Sequence, residues 1–254
     1  MQIDLNCDMG ESFGPYTIGN DEQMMKHISS ANIACGYHGG DPMVMDRTVR
    51  MAAENGVQVG CHPSLPDLMG FGRRVMNCSP EEIENYVLYQ LGALWAFARA
   101  RKTEMRHLKA HGSLGNIMQK DAEVARAVAR GTARFSKEIV LVSSVGSHLA
   151  AAAQELGLRV AINISTDRAY DAEGRPVPRK VPGAVIHDPK LIAERAVQMV
   201  RDGTVRAITG ETVRVRGDTI AVHGDNPAAL QATTDLVEAF RTAGITIKPL
   251  AEFL

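Results

Sequence analysis

The sequence predicts an α/β protein in which a single domain over residues 1–254 forms an irregular (β/α) barrel with a C-terminal β-hairpin. Three observations carry that expectation. Short β-prone runs alternate with longer stretches of helical period, several of those stretches open with the same cap-and-proline signal, and no nucleotide fingerprint follows the first strand. Strands separated by helix-length segments pair in parallel through right-handed crossovers, either in an open doubly wound sheet or in a closed barrel. A doubly wound nucleotide fold would carry GxGxxG or GxxxxGK[ST] after strand one. Here the chain runs instead into Asn6-Cys7-Asp8-Met9-Gly10-Glu11, which favours the barrel.

The β-prone runs are Gln2–Leu5, Ala31–Cys35, Val57–Cys61, Met105–Leu108, Ile139–Ser143, Leu158–Ile162 and Val205–Ile208. Between the third and fourth, Ser79–Arg101 places Ile83, Val87, Leu91, Leu94, Trp95 and Ala98 at steps of three and four, one apolar helical stripe. Its start, Ser79-Pro80-Glu81-Glu82, is a capping box with proline where a missing N–H costs nothing. Asp41-Pro42, Asp188-Pro189 and Asn226-Pro227 repeat the signal before helical patterns at Met43–Glu54, Lys190–Arg201 and Ala228–Ala243. Thr212–Arg216 and Thr219–Val222 alternate around Gly217-Asp218, which reads as the hairpin.

Composition narrows the function. Lys+Arg number 28 and Asp+Glu 29, a formal charge of −1, which excludes a nucleic-acid binder working by bulk charge. Aromatics at 5% offer no stacking platform for single strands. No apolar run approaches the roughly 18 residues of a membrane span. The opening MQIDLNCDMG carries acids where a signal peptide needs a basic start, so a cytoplasmic chain without membrane contact is expected. Cys7, Cys35, Cys61 and Cys78 form no CxxC pair and read as free thiols.

Parallel α/β folds place their sites at the C-terminal strand ends, and there this chain is polar. Strand one leads to Asn6, Asp8 and Glu11, the second to Tyr37, His38 and Asp41, and the third to His62. The fourth leads to Lys109 and His111, the sixth to Asn163 and Asp167, and the hairpin to His223 and Asp225. Four of eight histidines thus end strands. One reading makes Asp8, His38, His62, Lys109, His111, His223 and Asp225 catalytic groups of a single site; the other makes each histidine a helix cap or the partner of a nearby carbonyl. Asp8, His38, His62 and His111 could ligate zinc, manganese or iron. No HxH or HxxxH puts two ligands on one element, however, and the same groups suit metal-free acid–base work. Lys109, alternating with His107 and His111, is either a snorkelling rim charge or a site lysine that polarises a carbonyl or holds an acyl phosphate.

Two loops extend the candidate site. His62 through Gly70-Phe71-Gly72-Arg73-Arg74 delivers two arginines whose planar forks suit a carboxylate or phosphate, with a surface salt bridge as the plainer alternative. Ser165–Gly183, carrying Asp167, Arg168, Tyr170, Arg175 and Arg179, is long enough to read as a lid. Asn6, Glu11, Arg73, Arg74, Asn163, Asp167 and Arg168 are the substrate-binding candidates. Gly36, Gly39 and Gly40 around His38 permit close backbone approach to a ligand.

Asp4-Leu5-Asn6-Cys7-Asp8-Met9-Gly10-Glu11, Asn32 through Pro42, His62-Pro63-Ser64 through Arg74, and Val222-His223-Gly224-Asp225 together resemble the LamB/YcsF family, that of the A subunit of bacterial 5-oxoprolinase. The resemblance spans nearly the whole chain in order. It implies a barrel of the glycoside hydrolase/deacetylase type, ATP-dependent opening of 5-oxoproline to glutamate, and partner subunits B and C, with which ATP would be used and which would mainly handle it. Two motifs depart from the family pattern. K-P-H-G-A-L-Y-N is here Lys109-Ala110-His111-Gly112-Ser113-Leu114-Gly115-Asn116, and E-V-F-A-D-R is Asn163-Ile164-Ser165-Thr166-Asp167-Arg168. Gly115 and Ser165 replace rings and Asn163 replaces an acid, which implies a wider pocket and a divergent paralogue. Three functions follow: a subunit that hydrolyses 5-oxoproline or a larger cyclic amide, a metal-dependent deacetylase-like hydrolase acting alone, and an inert subunit presenting ligand to an ATP-using partner. A homo-oligomer is compatible with each.

Overall fold

The computed structural model describes residues 1–178, 180–224 and 227–254; the expectations placed on Arg179, Asp225 and Asn226 lie outside the described residues. In chain order the elements are β1 (Gln2–Met9), α1 (Asp21–Met24), β2 (Ser30–Ala34), α2 (Pro42–Glu54), β3 (Gln58–His62), α3 (Pro80–Ala100), β4 (Met105–Leu108), α4 (Gly112–Ile117) and α5 (Ala122–Phe135). There follow β5 (Val140–Ser144), α6 (His148–Glu155), β6 (Val160–Ile164), α7 (Pro189–Asp202), β7 (Thr204–Arg206), β8 (Thr212–Arg214), β9 (Thr219–Val222), α8 (Pro227–Thr242), β10 (Thr246–Ile247) and a closing 3-10 turn (Leu250–Glu252).

Among the described residues, seven parallel strands close in the order β1-β2-β3-β4-β5-β6-β9, with β9 bonded to β6 on one side and β1 on the other. The expected barrel is present and irregular. It has seven staves, and β10 adds to the lower end of β1 at Gln2 and Ile3. The two-residue period of a strand sorts β1 into an apolar face of Ile3, Leu5, Cys7 and Met9, all in the main core, and a polar face of Asp4, Asn6 and Asp8. The polar face looks into the barrel. Asn6 Nδ2 on β1 donates to Asn163 Oδ1 on β6 at 3.1 Å although β9 lies between them, and His107 on β4 reaches Asn32 on β2 at 2.9 Å past β3. Gly60 on β3 makes room for that crossing, since a Cβ there would stand 2.0 Å from His107 Nε2. At the opposite end Leu250 packs with Val140, Val142 and Ala161 as an apolar plug.

The cap-and-proline starts hold. Asp41 accepts from Met43 and Val44 N–H, Ser79 and Glu82 form the capping box, and Asp188 accepts from Lys190 N–H. The stripe of α3 buries Ile83, Val87, Leu91, Leu94 and Ala98 as expected, but Trp95 is 46% exposed, its ring edge-on to Phe135 and under Arg99. All four cysteines are free. No helix among the described residues is long and apolar enough to cross a membrane.

A hairpin is present, but its strands are not the expected ones. Thr212–Arg214 pairs antiparallel with Thr204–Arg206, and Val205, expected in a barrel strand, belongs to this small outer sheet. Thr219–Val222 is a barrel stave instead. Asp218 explains why: its carboxylate accepts from Ile162 N–H, its own N–H donates to Ile162 O and its carbonyl accepts from Asp4 N–H, so Gly217-Asp218 docks β9 between β6 and β1 rather than turning it back on β8. Alternating sequence marks a strand without naming its neighbour.

Candidate active site

The strands leave their polar residues at the C-terminal mouth, around an open cavity of about 820 Å³. Asp8, His62 and Lys109 line it, with Arg73, Gly115, Asn163, Asp167, His187 and His223 around them. At its centre Lys109 Nζ donates to Asp8 Oδ1 at 2.6 Å, Asn32 Nδ2 donates to the same oxygen at 2.9 Å, and His62 Nε2 stands 3.3 Å from Asp8 Oδ2. Burial acts to raise the Asp8 carboxyl, but His62 and the Lys109 ammonium outweigh it and hold the group well below the usual carboxylate range. Asp8 is therefore an ionised acceptor facing the cavity.

Beside this pair lies a second, more buried group. His38 Nε2 is 3.0 Å from Glu11 Oε1, His111 Nδ1 is 3.2 Å from the same oxygen, and His62 Nε2 is 3.8 Å from it. His62 Nε2 and His111 Nδ1 are 3.0 Å apart, and the His38 and His111 rings stack in parallel at 3.7 Å. Against the pull of burial, the hydrogen bonds from His111 and His38 and the charge of His62 bring Glu11 down to about 2. Burial brings His38 down to about 4, so its ring is neutral at pH 7, with Nδ1 buried and without a protein partner. Glu11, His38, His62 and His111 are the four that could hold a metal. The expected set had Asp8 in place of Glu11; Asp8 is drawn instead to Lys109, while the turn after β1 swings Glu11 back over the rings.

The other expected residues divide. Asn163, Asp167, Arg73 and His223 reach the cavity. Asn6 is sealed inside the barrel, bonded to Asn163, Thr219 and Asn32. Arg74 turns away from the cavity and its guanidinium pairs with the Asp67 carboxylate. Arg168 donates to the Val177 carbonyl within its own loop. Among its described residues that loop carries its own packing: Ala169, Val177 and Ala184 form an apolar cluster, and the Tyr170 hydroxyl is tied to Ser165 N–H and C=O. Ser165 is accordingly absent from the described lining, so widening of the pocket rests on Gly115 alone. Two of the glycines near His38 lie against the chain itself, since a Cβ at Gly39 would stand 2.6 Å from the Glu11 carbonyl oxygen and one at Gly40 2.6 Å from that of Ala34.

Asn32 and His107 were not singled out as functional residues from sequence. Asn32 gives one amide hydrogen to Asp8 and the other to Asn6 Oδ1 at 2.8 Å while accepting from His107, which fixes the Asp8 carboxylate from below. Their signal is the polar phase of Ser30-Asn32, opposite the apolar Ala31 and Ile33, and of His107-Lys109, opposite Leu108.

A closed parallel barrel with an ionised carboxylate, a lysine and a histidine cluster at its C-terminal mouth is the layout of a barrel enzyme. The chain belongs to the LamB/YcsF family, whose model matches residues 3–254. It is 55% identical over 254 residues to a protein from Pyrococcus abyssi named as the A subunit of 5-oxoprolinase and 54% identical over 254 residues to its namesake from Pyrococcus horikoshii, covering all of each chain. The crystal structure of a lactam utilization protein from Thermus thermophilus superposes with a TM-score of 0.95 at 43% identity, over 98% of this chain and 99% of that one.

Proposed function

We propose that this chain is the A subunit of an ATP-dependent 5-oxoprolinase, which opens 5-oxoproline to L-glutamate together with partner subunits B and C. The observation that carries the chemistry is the Lys109–Asp8–His62 group on the cavity wall. A planar lactam resists water, and opening it needs an electrophile at the carbonyl oxygen and a base for the incoming water. Lys109 stands as the donor to that oxygen, and Asp8, held ionised, orients the water and accepts its proton with His62 Nε2 beside its second oxygen. Arg73, which lines the cavity, takes the substrate carboxylate in this reading. The water oxygen bonds to the carbonyl carbon, the C–N bond breaks with the ring nitrogen taking up the proton that Asp8 removed, and a second water takes the γ-phosphoryl group of ATP, leaving ADP and phosphate. No GxxxxGK[ST] occurs in the chain, so ATP belongs to the partners, and a reaction that consumes it belongs in the cytoplasm.

The test is reconstitution. The isolated chain should turn over no ATP, and glutamate should form from 5-oxoproline only when subunits B and C are added. Robust ATP hydrolysis by the chain alone, or deacetylase activity without partners, would overturn the proposal. One observation favours a larger cyclic amide as a second reading: about 820 Å³ with Gly115 in the wall is in the range that holds drug-sized ligands. Preference for a bulkier lactam over 5-oxoproline in the reconstituted assay would select it.

A further inference from the structure

The geometry points to a coordination site for one divalent cation of borderline character, zinc foremost, formed by Glu11, His38, His62 and His111 beside the Asp8–Lys109 pair. The argument begins with where protons must sit. His62 Nδ1 lies 2.6 Å from the Lys109 carbonyl oxygen and His111 Nε2 lies 2.8 Å from that of Phe71. A carbonyl only accepts, so both of those nitrogens carry hydrogen. With only that one proton on each ring, His62 Nε2 and His111 Nδ1 turn lone pairs toward each other at 3.0 Å, with Glu11 Oε1 3.2 Å from His111; the second proton through which these rings act on Glu11 sits where a cation would. An extra proton would relieve the edge between the two rings. A cation relieves all four donors at once.

The donor set and spacing fit. One donor atom from each residue lies within 4.8 Å of the others, and the named separations run from 3.0 to 3.8 Å. Tetrahedral zinc with bonds of about 2.0–2.1 Å sets neighbouring donors roughly 3.3–3.4 Å apart. Backbone carbonyls on the outer nitrogens of two rings are the outer-shell contacts that orient imidazole ligands. Four protein donors close the coordination shell. The cation therefore fixes His62 and ties together the ends of β1, β2, β3 and β4, leaving Asp8 to face the cavity.

The inference shares His62 with the lactam reading but does not rest on it, and its test uses no substrate. The purified full chain is stripped with a chelator, dialysed and titrated with zinc chloride by calorimetry, with cobalt(II) absorption as a report on tetrahedral geometry. One equivalent should bind with a rise in Tm, and His111→Ala and Glu11→Gln should each weaken binding on the order of 100-fold. Glu11→Gln, which preserves shape, carries the comparison if His111→Ala fails to fold by circular dichroism. No saturable binding to the stripped chain, or binding unaltered by the folded variants, would overturn the inference. A chain that binds no zinc yet opens the lactam with its partners would overturn it while leaving the proposed function intact.

Discussion

Replacing Asp4 by Asn should remove a pH dependence of stability that the barrel interior imposes. Asp4 is fully buried, and Ser29 Oγ and Ser30 Oγ donate to its Oδ1 at 2.7 and 2.6 Å while Thr219 Oγ1 donates to Oδ2. Burial outweighs those three hydroxyls and pushes the carboxyl up from 3.8 to about 6. A folded-state value above the unfolded one means that the native chain binds the proton more tightly. The stabilisation is fully present below the unfolded value and is lost as pH rises through about 6. At about 1.4 kcal/mol per pH unit, the shift corresponds to about 3 kcal/mol in all and about 2 kcal/mol between about pH 4.5 and pH 7.5. Other carboxylates titrate across the same range, so the quantity to read is the difference between wild type and Asp4→Asn in urea unfolding at each pH. That difference should move by about 2 kcal/mol in favour of the variant as pH rises through this window. A difference that does not change with pH would refute the reasoning.

Three further outcomes follow from the site and the barrel wall. Lys109→Met should lower kcat of the reconstituted enzyme by about 10²–10³ with little change in KM, because it removes a donor to the developing oxyanion; unchanged turnover would remove Lys109 from the chemistry. Arg73→Ala should raise KM, whereas Arg74→Ala, which frees the Asp67 carboxylate from its partner, should lower Tm and leave KM alone, as steady-state kinetics and thermal melts on both variants will show. Gly60→Ala should destabilise the chain by about 1–3 kcal/mol or more in urea, since its Cβ would enter the His107 ring.

The sequence carried the barrel because its signals are local. A capping serine followed by proline and glutamate, or a run such as Met105–Leu108, acts within a few residues and survives whatever surrounds it. Neighbour choice is not local: Thr219–Val222 shows the same alternation whether it pairs with β8 or with β1, and only the contacts of Asp218 with Ile162 and Asp4 decide. The site divides along the same line. Histidines at strand ends were visible one by one, but the exchange of Asp8 for Glu11 in the histidine cluster depends on Lys109, 101 positions away, capturing Asp8. Asn32 escaped notice because an asparagine in a strand has no chemistry until its neighbours across the barrel are known.

The closure of the barrel through β9 bears on how the protein is made. β1 carries Asp8 and leads to Glu11, yet its flanks are completed by β2, β9 and β10, two of which lie more than two hundred residues downstream. During synthesis the first strand leaves the ribosome long before residues 219–247 exist to seal it, so its polar inner face and open edge wait unpaired while the helical layers collapse. Contacts of such long sequence separation slow folding, and unpaired edges of this kind are where nascent chains associate wrongly. Truncation just ahead of β9 should therefore yield a chain that chaperones hold and that aggregates, with helical content but no assembled site.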